Sequence, residues 1–249
     1  MSSPHLVCLV LAAASSLFLS GCRDGRRADG LDVPGARARA LLAANPYESL
    51  VVEVDAVVGH EPSPAALALL ERRLAERCHK PGGVRVVLDE LLPDPGRQVW
   101  SLADVRAFEA KHRQRRDRGS EATLYVAYLA GRSSWDVEAE RVMGWAVSGS
   151  VIALFPEAVA ANATPEVPSE AVESATLVHE LGHLLGLVNM GIPMEAMHED
   201  LRHLGHDQNP DCVMFHAVET HRPASLGDRL PPTDFDAACV RDLRAAGGR

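Results

Sequence analysis

Val178-His179-Glu180-Leu181-Gly182-His183-Leu184-Leu185-Gly186 places two histidines four residues apart, with a glutamate after the first and a glycine three residues beyond the second. On a helix, residues four apart share a face with Cβ atoms about 6 Å apart, so both imidazoles can take corners of one zinc tetrahedron. Glu180 sits roughly 100° round the helix from His179, within reach of a water beside the metal without being a ligand. The neighbours predict a buried helix. Ala171, Ala175, Val178, Gly182 and Leu185 recur at spacings of four and three, while Leu181, Leu184, Leu187 and Val188 cover much of the remaining surface. Burying two imidazoles and a carboxylate without partners costs several kcal/mol, a conflict that a metal ion removes. Ser169 is the expected N-cap, with Glu170 and Glu173 favourable in the first turns. Gly186 ends the helix, since a glycine there can take positive φ and turn the chain sharply.

Upstream, the sequence alternates between strand and helix patterns. Residues 50–58 (LVVEVDAVV), 84–88 and 123–129 read as strands, and residues 142–147 and 151–155 as a hairpin around Ser148-Gly149-Ser150. Ser63-Pro64 opens a helix that runs to about Arg77, and residues 102–116 form a second, very basic one. The basic run 111–118 is read as a solvated helix face rather than a binding site. A helix over residues 233–246 closes the chain. Together these patterns predict an α/β (α+β) fold, a mixed twisted sheet with helices.

Residues 6–19 form an apolar run of signal-peptide length, too short to span a bilayer. Leu19-Ser20-Gly21-Cys22 follows and resembles the lipobox of bacterial lipoproteins, which implies cleavage before Cys22 and lipidation of that residue. The expected organisation is a signal peptide over 1–21, a tether over 22–45 that turns helical near 36–44, and a domain over 46–249. The implied location is the bacterial cell envelope, with the chain held to the lipid bilayer by its N-terminal anchor. The net charge of −9 excludes a nucleic-acid binder that works by electrostatics. A monomer is expected.

His179-Glu180-x-x-His183-x-x-Gly186 resembles the motif of the metzincin clan of zinc peptidases. In that clan the third ligand usually follows three residues after the glycine, a place held here by Asn189, a poor zinc ligand. Downstream, His206, Cys212 and Met214 are similar to the archaemetzincin pattern of a third histidine, a cysteine and a Met-turn methionine. The resemblance implies a zincin-like fold with an active-site helix, a Met-turn under the metal and a C-terminal helix. It also implies one Zn2+ ion on His179, His183 and His206, a protein or peptide substrate, and an insertion over residues 191–205. Two features depart from the pattern. Asp207 stands where the archaemetzincins have a cysteine, and of their later Cys-x-x-Cys only Cys239 remains, so their second, structural zinc is not expected.

His203 and His198, inside the insertion, stay open as alternative third ligands. Met194, Met197, Leu201 and Leu204 have the spacing of a short amphipathic helix with a core stripe. Cys212 and Cys239 are the expected disulfide, tying the Met-turn to the last helix and leaving Cys78 unpaired. His216, just past the Met-turn, reads as a surface residue. The function expected is a membrane-anchored zinc endopeptidase with Glu180 as general base and residues 151–155 as the strand that receives the peptide. A zinc-binding envelope lipoprotein without turnover is the alternative, and a peptidoglycan amidase a weaker third.

Overall fold

The structure, a computed structural model, describes residues 33–137, 140–218 and 229–249. The leader, Cys22 and the first part of the tether lie outside the described residues. Five strands form the main sheet: β1 (Ser49–Val57), β2 (Val84–Leu92), β4 (Glu121–Tyr128), β6 (Gly144–Ser148) and β7 (Val151–Leu154). Their order is β2-β1-β4-β7-β6, with only β6 antiparallel to its neighbour. Two short strands, β3 (Val99–Trp100) and β5 (Arg132–Ser133), pair with each other. The helices are α1 (Ala38–Leu42), α2 (Pro64–Arg77), α3 (Leu102–His112), α4 (Pro156–Ala161), α5 (Ser169–Leu184) and α6 (Ala237–Ala245). This is the mixed α/β architecture that the alternating patterns predict.

Both sheet faces are covered, and the strands sort their side chains with a period of two. Leu50, Val52 and Val54 of β1, Leu124 and Val126 of β4 and Ile152 of β7 join one core, which also holds α1, α2, α5 and α6. Tyr125, Ala127, Val151 and Ala153 point into the other core, around Trp100, Phe108 and Trp145. Glu53 and Asp55 of β1 fall on that second face and are buried. Glu53 accepts the backbone N–H groups of Gln114 (2.7 Å) and Arg115 (2.6 Å), and Asp55 accepts the Tyr125 hydroxyl at 2.8 Å. Burial pushes the Asp55 carboxyl up to about 6.

Those two acids explain one departure from expectation. The basic run leaves the helix early: α3 stops at His112 and the chain turns so that the next backbone N–H groups satisfy Glu53, while Lys111, Arg116 and Arg118 stay exposed. Arg113 is buried, donating to the Thr123 carbonyl and the Ser150 hydroxyl. A second departure lies at the N-terminus, where the folded domain begins before residue 46. Leu41 and Leu42 are fully buried, and the Arg37 guanidinium pairs with Asp117. Gly35, at φ +76, lies against the loop after α5, where a Cβ would fall 1.9 Å from the Met190 carbonyl oxygen.

The insertion is the third departure. No helix forms over residues 193–206, and Met197, Leu201 and Leu204 are exposed. Tight turns replace the helix: Asp200 N–H donates to the His206 carbonyl, His203 N–H to that of Asp200, and His206 N–H to that of His203. The N-cap of α5 is Pro168, with Ser169 its first helical residue and no side chain capping the end. The last helix is shorter than expected, beginning at Ala237 with Asp236 as its cap.

Candidate metal centre

α5 is buried without interruption from Ser174 to Leu184, so its polar side chains must find partners inside the protein. His179 is fully buried, Glu180 1% and His183 7% exposed. His179 Nδ1 lies 2.7 Å from the Val213 carbonyl oxygen. A carbonyl only accepts, so Nδ1 carries the hydrogen and Nε2 keeps its lone pair. That lone pair faces His183 Nε2 at 3.1 Å, and His183 Nδ1 is buried with no hydrogen-bond partner. Burial, aided by nearby His206, pushes the His183 imidazole down to about 3, so the ring is neutral at neutral pH and able to bind a metal.

His206 completes the group. Its ring centroid lies 5.2 Å from both His179 and His183, and the nitrogens of all three lie within 4.8 Å of one another. These residues fit zinc on two counts. Tetrahedral Zn–N bonds of about 2.0–2.1 Å place ligand nitrogens about 3.3 Å apart, close to the separation of the two α5 imidazoles. The neutral His183 ring can also carry its hydrogen on Nδ1 instead of sharing it with His179, which leaves both Nε2 lone pairs available to one cation.

The other two candidates in the insertion sit elsewhere. His198 is buried with both ring nitrogens engaged, Nδ1 to Asp207 at 2.7 Å and Nε2 to Asp242 at 2.8 Å. These carboxylates raise its pKa to about 9, which makes it an imidazolium in an ion-paired clamp. Asp207 directly follows His206, and Asp242 belongs to α6, so the clamp ties the His206 loop to the last helix. His203 donates from Nδ1 to Asp200 at 2.7 Å and stacks on His216. Asn189 is exposed, and its amide donates to Glu199.

The backbone near the centre is shaped for close approach. Gly186 has φ +79 and turns the chain after α5, and Val188 and Asn189 follow at φ 50 and 63. Positive φ is costly for a β-branched valine, and such strain gathers at functional loops. Met214 is fully buried beneath α5, where a Cβ on Gly182 would fall 2.1 Å from its sulfur. Across the helix, a Cβ on Gly144 of β6 would lie 2.9 Å from Glu180 Cγ. In residue order Gly182 is only one position of the apolar stripe, and Gly144 carries no local mark of this contact. A glycine inside a helix, costing about 1 kcal/mol against alanine, is the signal that could have marked the first.

Cys212 and Cys239 face each other with sulfurs 3.6 Å apart, both as free thiols, and Cys78 is a free buried thiol. Burial and the contact with Cys212 push the Cys239 thiol upward, so it stays protonated. Asp207 and Asp236 lie close to this pair. Their carboxylates are already occupied, by His198 and by the N-terminus of α6 respectively.

A cleft of about 350 Å³ opens at the centre. Glu180, His183 and His206 form its polar end, with Leu102, Trp145 and Val147 among its apolar walls. Val33 and Pro34 also line it. β6 is the edge strand beside this cleft, and β7 lies between β4 and β6. Residues 151–155 therefore cannot receive a peptide along a free edge; the available edge is β6. Among the described residues no helix is long and apolar enough to cross a membrane.

No family model matches the chain, and no curated protein matches it. Among solved structures, it is similar to the crystal structure of archaemetzincin from Methanopyrus kandleri. The TM-score is 0.49 at 17% identity, over 80% of this chain and 96% of that one.

Proposed function

We propose that this chain is a zinc-dependent endopeptidase, carried on the bacterial envelope by a lipid at Cys22. One observation supports the catalytic reading above all others: two buried imidazoles and a partly buried third converge beside the Glu180 carboxylate at the end of an open cleft. His179, His183 and His206 would hold the ion, which when bound supplies the Lewis acidity that polarises a carbonyl and acidifies water. Val213 holds His179 in the tautomer that leaves Nε2 free to ligate. Glu180 takes the proton of the attacking water and delivers it to the departing amine. β6 offers its free edge to a substrate backbone, and the apolar walls of the cleft take a large apolar side chain.

The test is zinc-loaded wild type against Glu180→Ala on casein. The variant is expected to keep its zinc and lose activity by about 10²–10⁴-fold, the usual contribution of a general base. Equal activity in the two proteins would remove Glu180 from the reaction. Full zinc content with no turnover in wild type would leave a zinc-binding lipoprotein. The envelope placement rests on residues 6–22 and is tested separately, by metabolic lipid labelling of wild type and Cys22→Ala.

A further inference from the structure

Asp200, His203 and His216 form a second group of metal-ligand chemistry, which the proposed reaction does not use. His203 Nδ1 lies 2.7 Å and His216 Nδ1 3.8 Å from the same oxygen, Asp200 Oδ2. The two imidazoles stack almost parallel, with centroids 3.6 Å apart and 4° between planes, so their Nδ1 edges serve one carboxylate from one side. The three donor atoms lie within 4.8 Å of one another. All three side chains are partly buried, and the hydrogen bond from His203 keeps the Asp200 carboxyl below its usual range, hence ionised.

We propose that Asp200, His203 and His216 bind a second divalent transition-metal ion, distinct from the one held by His179, His183 and His206. Two imidazoles and one carboxylate suit zinc and its first-row neighbours, and they leave open positions for water. Binding needs modest rearrangement. The His203 hydrogen gives way to the ion, and the two rings tilt out of their parallel stack so that both Nδ1 lone pairs converge on it at about 2.0–2.1 Å. The scaffold under the site is already ordered, because hydrogen bonds of Asp200 and His203 hold the backbone of His206 between them. An ion here would brace the turn that carries His206. This inference does not depend on peptidase activity.

Zinc titration of the full chain, with bound metal measured after gel filtration, tests it. Wild type is expected to hold two equivalents, and His203→Ala/His216→Ala one. Asp200→Asn, which barely changes shape, should also drop to one, and this guards against misfolding of the double variant. His179→Gln/His183→Gln should keep the second ion. Wild type saturating at one equivalent that is lost in His179→Gln/His183→Gln, but kept in His203→Ala/His216→Ala, would overturn the second site and leave the first intact. A single equivalent lost only in His203→Ala/His216→Ala would support this site and overturn the other. Two equivalents surviving in both Asp200→Asn and the double alanine variant would also overturn it.

Discussion

His183 and His198 are both buried and only 15 positions apart in the chain, yet the fold gives them different protonation states. Burial in an apolar interior, with His206 nearby, presses the pKa of His183 down to about 3. His198 sits between two carboxylates, which raise it to about 9. One ring is neutral with a lone pair to offer; the other is a cation. Burial alone thus says little about what a histidine does. The partner groups decide, by favouring one protonation state or the other.

Substitution should separate the two rings most sharply. His183→Ala removes a proposed ligand and is expected to cost the one zinc equivalent held with His179 and His206 while the fold survives, as read by metal analysis and circular dichroism. His198→Ala leaves Asp207 and Asp242 buried without their counter-charge, so a loss of about 3–5 kcal/mol is expected in urea unfolding. If His198→Ala proves as stable as wild type, the clamp is not a stabilising ion pair. If His183→Ala keeps full zinc affinity, His183 is no ligand.

The metal-free chain should also respond oppositely to acid and base. The His198 contribution is complete below the unfolded value of about 6.5 and is lost as pH rises through about 9. For His183 the sign reverses. Below about 6.5 the unfolded ring gains a proton that the folded ring refuses until about 3, so stability falls across that window. Urea midpoints measured from pH 4 to 10 are expected to form a dome, and His198→Gln should flatten its alkaline side alone. A smaller effect, about 1–3 kcal/mol, is expected for Gly182→Ala, because the added methyl group must displace Met214 from beneath α5.

Much of this arrangement was legible in residue order. The apolar period of α5, the hydrophobic run of β1 and the Ser63-Pro64 start of α2 are local signals, and the helices and strands fall where they point. The rest depended on distant partners. Residues 113–116 looked helical, but buried Glu53, some 60 positions away, takes the backbone N–H groups of Gln114 and Arg115 and turns the chain out of the helix. Met197, Leu201 and Leu204 carry a helical spacing, but turns closed by backbone hydrogen bonds leave them exposed. Position along the chain could not distinguish His198, His203 and His206 as ligands. Their separation rests on Asp242 and His216, contributed by α6 and by the turn after Met214.

Gly35 fixes where the front of the molecule enters. Wedged against the loop after α5, it leaves Val33 and Pro34 on the rim of the cleft, so whatever is joined ahead of them starts at the mouth of that cleft. An affinity handle or fluorescent reporter fused there would crowd the opening and disturb any binding measurement made on it. The opposite terminus is the better place for one: Arg249 is moored through its backbone to Arg77 at the end of α2, and neither residue lines the cleft.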